Sequence, residues 1–118
     1  MQYILLIAYD ETLDEALSPD EAAAQTAAYG AWVEQCAARG ALRGGERLRP
    51  TSDATTVQVR NDEVVTTDGP FAETKEQIAG YFVIECDDLD QAVQAASMLP
   101  AARTGSVEVR PIWPMDMG

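Results

Sequence analysis

The chain has 118 residues, with 20 Asp and Glu against 8 Lys and Arg, a formal net charge of −12 and no histidine. That length suits a single domain over 1–118, and a hydrophobic content of 47% is that of a globular chain rather than a disordered one. The acidic balance argues against nucleic acid and against an anionic membrane surface, since both need Lys and Arg, and the missing histidine removes imidazole metal ligands, Ser-His and Cys-His nucleophiles and an imidazole proton shuttle.

Gln2 to Tyr9 is apolar on both parities and short, which predicts a strand buried on both faces. It has no basic flank before it and Asp10-Glu11 after it, so it is not expected to act as a secretory leader. With no apolar run of about 20 residues and only two cysteines, Cys36 and Cys86, the expectation is a cytoplasmic protein with reduced thiols. Ser18-Pro19-Asp20-Glu21 is a helix start: a capping hydroxyl, a proline where no N–H is needed, and a Glu that completes a capping box. Ala22, Tyr29, Val33, Cys36 and Ala37 keep helical spacing and Gly40 suits a left-handed end, so a helix is expected over 18–39.

Gly44-Gly45 opens a short strand around 43–48 and is no phosphate loop, because no Lys-Ser/Thr and no helix follow. Thr55–Arg60 and Glu63–Thr67 flank Asn61-Asp62, which predicts a tight hairpin. Gln77–Glu85 is another strand. Asp87 or Asp88 caps a second helix with Leu89, Ala92, Val93, Ala96 and Leu99 on one face, stopped by Pro100. Capping also explains the Asp87-Asp88-Asp90 cluster without a metal. Ser106–Ile112 supplies the last strand.

The order β-α-β-(ββ)-β-α-β is an α+β, ferredoxin-like antiparallel sheet with two helices on one face. Ile4 and Leu6 then lie opposite Tyr3, Leu5, Ile7 and Tyr9, on a face that no helix is left to cover. Leaving it in water would expose more apolar area than a soluble monomer usually shows, so the expectation is a homodimer with sheets packed face to face as a dimeric α/β barrel.

The most distinctive run is Thr67-Asp68-Gly69-Pro70-Phe71-Ala72-Glu73-Thr74-Lys75-Glu76. With Tyr3–Ile7, Ser18-Pro19, Gly45-Glu46, Gly80-Tyr81, Asp88-Leu89-Asp90, Pro100–Arg103 and Glu108–Ile112, it makes the chain resemble the YCII-related family, in its DGPF branch, over nearly all its length. The resemblance implies the same dimeric α+β barrel. It also implies a largely uncharacterised protein, often encoded beside extracytoplasmic-function sigma factors. Other YCII-like proteins carry a His-Asp pair regarded as catalytic, and elimination chemistry has been proposed in the wider group. A chain without histidine cannot carry that pair, which deprives Asp68 of the expected partner.

Two readings of the Asp68 block stay open. In one, Phe71 turns inward and Asp68 is a general base near Lys75 and Glu73, with a carboxylate pKa raised by burial or by a second carboxylate. Tyr9, Glu46, Phe71, Glu76, Tyr81, Arg110 and Trp113 would then contact a small polar or aromatic metabolite, with cofactor-independent lyase or isomerase chemistry. In the other, Asp68 braces its turn and the neighbouring charges form solvated pairs. Trp32 is assigned to helix–sheet packing, and Arg110 to pairing with Glu108 or Asp68. No metal or cofactor is expected. The alternative function is a non-catalytic regulatory dimer, with a sigma-factor partner by family analogy only.

Overall fold

In the computed structural model, which describes residues 1–115, eight residues of β1 (Gln2–Tyr9) form the middle of an antiparallel sheet. On one side β1 pairs with β5 (Gln77–Glu85), on the other with β6 (Ser106–Pro111), and β2 (Leu42–Arg47) completes the order β2-β5-β1-β6. The central positions of β1 and β5 account for their apolar sequences. The charged residues sit on the edge strands, at Glu46, Arg47, Glu108 and Arg110, where they discourage edge-to-edge pairing. This is the expected α+β, ferredoxin-like sheet, present as an open four-stranded sheet.

Two long helices cover one face. Helix α1 (Glu11–Glu15) is a single short turn that precedes α2 (Pro19–Ala38), and α3 (Leu89–Ser97) and α4 (Ala101–Thr104) lie between β5 and β6. The capping box forms as its residues require: Glu21 N donates to Ser18 Oγ at 3.1 Å and Ser18 N to Glu21 Oε1 at 3.0 Å. Gly40 takes φ +69° just past the helix end, a conformation in which a side chain would be strained. Of the two candidate caps for α3 it is Asp88 that accepts from Gln91 N, at 2.9 Å. Helix α1 was not expected, because five residues are too few to show a period. Asp10 caps it, and Glu11 fastens it to the loop after β2 by accepting from Thr51 N and Thr51 Oγ1, both at 2.9 Å.

The core lies between these helices and one face of the sheet. Tyr3, Leu5 and Ile7 of β1 and Ile84 of β5 are buried against Cys36 of α2, Ala92, Ala95 and Ala96 of α3, and Leu99. Trp32 joins three elements. Its ring lies 4.6 Å from that of Phe82 on β5, and its Nε1 donates to Ala95 O on α3 at 2.8 Å. On the opposite face Ile4, Leu6, Tyr81 and Val83 are half-buried and Ile78 is 50% exposed.

The hairpin of β3 (Thr55–Arg60) and β4 (Glu63–Asp68) is a separate two-stranded sheet. Asn61 (φ 52°) and Asp62 (φ 62°) are both left-handed, as a two-residue turn matched to strand twist requires. Val57, Val59 and Val64 share one face of it and are 58–70% exposed. The radius of gyration of 16.4 Å exceeds the ~13.5 Å usual for this length, as a projecting arm demands. The 18 Å short dimension matches one layer of sheet and one of helix.

Replacing Trp32 by Phe keeps most of the packing but removes the indole donor to Ala95 O, which still accepts from Met98 N at 3.2 Å. Urea unfolding is expected to show a loss of about 0.5–1.5 kcal/mol.

Candidate functional site

Helix α2 touches the sheet unevenly. Its inward stripe is apolar at Trp32, Val33 and Cys36, but one and two turns earlier the same stripe carries Ala22, Gln25, Thr26 and Tyr29. The sheet beneath that first half is bare. Gly45 of β2 and Gly80 of β5 both face the helices, Gly45 opposite Phe82 and Gly80 opposite Ile7 and Arg47. Neither position has room for a side chain. A Cβ on Gly45 would run into the Phe82 ring and lie 2.8 Å from Tyr81 O, and one on Gly80 would lie 2.8 Å from Glu46 O. Short residues above and glycines below leave a cavity of about 350 Å³. That is the size of a small-molecule site.

The cavity is apolar at Ile7, Leu17, Ala79 and Phe82, with polar groups at its upper rim and far wall. Tyr29 Oη is buried there and has no hydrogen-bond partner among the described residues. Burial pushes the Tyr29 phenol above its ordinary pKa, with Tyr9 and Asp14 adding to this. The Ala101 amide opposes it from a position short of hydrogen-bond geometry. Burial likewise raises the Tyr9 phenol, with Asp14 adding to the effect and the neighbouring Arg47 guanidinium opposing it. Asp14, brought in by α1, accepts a long 3.4 Å hydrogen bond from Gln25 Nε2.

Of the residues singled out in the sequence, the structure brings Tyr9 and Glu46 to this cavity and places the others elsewhere. Glu46 reaches it through the strand, since its side chain, opposite Tyr81 in register, turns to the far face. Tyr81 is half-buried on that uncovered face. Asp68 ends β4 on the exposed arm, opposite Thr55. The turn after it is braced by Gly69 N donating to Ala54 O at 2.7 Å and Thr56 Oγ1 donating to Gly69 O at 2.8 Å.

Phe71 does not turn inward but is 89% exposed, because no layer of the fold lies behind the arm for it to pack on. Glu73 and Lys75 are exposed and precede β5, which begins at Gln77. Lys75 lies near Asp10, whose carboxyl is held below its usual range mainly by hydrogen bonds from Thr12 and further by this ammonium. Glu76 Oε1 accepts from Ser106 Oγ at 2.8 Å. Arg110 pairs with Glu108 at 2.5 Å, one of its two expected partners, and Trp113 is 89% exposed. Asp14, Gln25, Thr26, Tyr29 and Arg47 were missed as site residues. The signal for the helical ones was on the page, as polar side chains interrupting an otherwise apolar stripe.

An open ferredoxin-like sheet with a lined cavity under one helix is a small α+β fold. Among the described residues no cluster of three His, Cys, Asp or Glu could hold a metal, and no helix is long and apolar enough to cross a membrane. The model of the YCII-related domain matches residues 1–116, and the chain belongs to that family. It is 39% identical over 114 residues, 95% of this chain and 92% of the other, to an uncharacterised protein of Rhizobium meliloti (strain 1021).

The two phenols carry a pH dependence whose sign is fixed. Their folded pKa values lie above the ordinary 10.0, so the unfolded chain loses these protons first. Their contribution to stability is full below pH 10 and falls as pH rises through the folded values. Urea unfolding across pH 8 to 11 is expected to show that decline, and the double variant Tyr9→Phe, Tyr29→Phe a shallower one.

Proposed function

We propose that this protein is a small-molecule-binding homodimer whose ligand occupies the cavity between the first half of α2 and strands β1, β2 and β5. The observation that carries this reading is Tyr29, which lines the cavity and whose buried Oη has no hydrogen-bond partner among the described residues. Such a group costs about 1–3 kcal/mol when left unsatisfied, and a ligand or a water bound there offsets that. Any acid–base chemistry belongs at this cavity, where Tyr9, Asp14 and Tyr29 converge, rather than at Asp68 on the solvated arm. The lyase or isomerase reading, without a cofactor, is kept for these groups.

The homodimer rests on the uncovered sheet face. Ile4, Leu6, Ile78, Tyr81 and Val83 form one apolar area that the chain's own helices do not reach. A second copy laid on it removes that area from water at ~25 cal/mol per Å². A second reading, an interaction module, draws on the arm: Val57, Val59, Val64 and Phe71 are all exposed and give a partner protein an apolar handle. The sigma-factor association implied by family analogy would use that handle. A cytoplasmic location fits a chain of this composition.

Two measurements test these readings. Light scattering at micromolar concentration is expected to give twice the chain mass, and a stable monomer contradicts the face-to-face dimer. A thermal-shift screen of aryl carboxylates, phenols and lactones is expected to yield compounds that stabilise the wild type. At ten times its Kd a compound adds about 1.4 kcal/mol, a Tm rise of roughly 5–10 °C. Thr26→Trp, which fills the cavity, abolishes the shift, whereas Asp68→Asn retains it. An equal response from the filled variant overturns the cavity site.

A further inference from the structure

Arg47 is the only cation on the cavity wall among the described residues. Its register opposite Gly80 places it on the helix-covered face of the sheet, over the bare floor. The ion pairs of the described residues involve the N-terminus with Glu85, Arg49 with Asp53 and Arg110 with Glu108, and Arg47, like Arg39, Arg43, Arg60 and Arg103, is in none of them. Asp14 lines the same cavity but is engaged by Gln25 instead. Arg47 is exposed to solvent at the cavity, and its guanidinium reaches the Tyr9 hydroxyl with one N–H, which leaves its other donors for a ligand.

Two polar groups of the wall thus have unused capacity of opposite kinds. Arg47 offers paired N–H donors, the geometry that a carboxylate accepts through both oxygens. Tyr29 Oη offers one hydroxyl, able to donate or accept. Between them the wall is hydrocarbon, from Ile7, Leu17, Ala79 and Phe82. A second carboxylate on the ligand would meet Asp14, so a dicarboxylate is disfavoured.

We infer that the cavity takes a small hydroxy monocarboxylic acid with a hydrocarbon body, its carboxylate held by Arg47 and its hydroxyl by Tyr29. This rests on the cavity being the ligand site, and it adds the ligand's chemical class. The carboxylate supplies an ion pair that Arg47 does not make among the described residues. The hydroxyl completes the orphaned Tyr29 oxygen, and the hydrocarbon body fills the cavity between Ile7, Leu17, Ala79 and Phe82.

Isothermal titration calorimetry with mandelate, its methyl ester and phenylacetate tests the inference. The ester lacks the charge and phenylacetate lacks the hydroxyl. Wild-type protein is expected to bind mandelate, and to bind the ester about 10- to 100-fold more weakly. Arg47→Met is expected to lose mandelate affinity by the same factor, and Arg47→Lys, which keeps charge but not the fork, by less. Removing the hydroxyl contact, by phenylacetate or by Tyr29→Phe, is expected to cost about 3- to 10-fold.

Arg60→Met, at the end of the arm's β3, serves as a control that leaves binding unchanged, and unaltered thermal melting of Arg47→Met excludes misfolding as the cause of its loss. Equal affinity for acid and ester, wild-type affinity in Arg47→Met, or no mandelate binding at millimolar concentration each overturns the inference. Neutral phenols that still bind, and are lost in Thr26→Trp, would then leave the cavity site standing without this ligand class. If Thr26→Trp responds to every compound as the wild type does, the site itself falls.

Discussion

The contact of α2 with the sheet is tight at one end and open at the other, and the rest of the molecule is arranged around that difference. At the C-terminal half Trp32 wedges between Phe82 and the Ala95 carbonyl, tying helix, sheet and α3 together. At the N-terminal half the sheet carries glycine at Gly45 and Gly80, where backbone and the Phe82 ring lie at distances no Cβ tolerates, and the first half of the helix stands off the sheet over the cavity. Packed interiors rarely keep such voids without a use.

The same economy governs the two faces of the sheet. Helices α2 and α3 suffice for the face of Tyr3, Leu5 and Ile7, and none of the described helices lies over the face of Ile4 and Leu6. The arm of β3 and β4 projects instead of folding back over it, since the hairpin forms its own two-stranded sheet. A two-stranded ribbon is marginal by itself. Here it is steadied by its left-handed Asn61-Asp62 turn and by the Gly69 and Thr56 hydrogen bonds at its base. Exposed valines on an arm and exposed isoleucine on a sheet are two surfaces of one kind, and both look outward for cover.

Most of the fold was legible because its determinants are local. Apolar residues on both parities marked β1 and β5 as central strands, Ser18-Pro19-Asp20-Glu21 contained its own capping hydrogen bonds, and Asn61-Asp62 could make only a narrow range of turns. The site was less legible, because its main determinant is a register. Nothing local says that Gly45 and Gly80 fall on the same face beside Ile7, and only pairing of β2, β5 and β1 brings them together. Asp68 misled for the converse reason. A turn does follow it, with Gly69 at φ +101°, but turn chemistry carries no information on whether a hairpin packs inward or projects. Arg47 was overlooked because an arginine in a charged strand end looks like solvent-facing surface until the strand's parity is known.

The most direct test of a ligand site under α2 is the map of backbone amide shifts in a 1H–15N spectrum as mandelate is added. A ligand in the cavity moves the amides of Tyr9, Gln25, Tyr29, Gly45, Arg47 and Gly80 together, along one saturable curve, and leaves those of 55–76 in place. Shifts confined to the arm or to the uncovered sheet face, or spread without saturation over the whole chain, would contradict it.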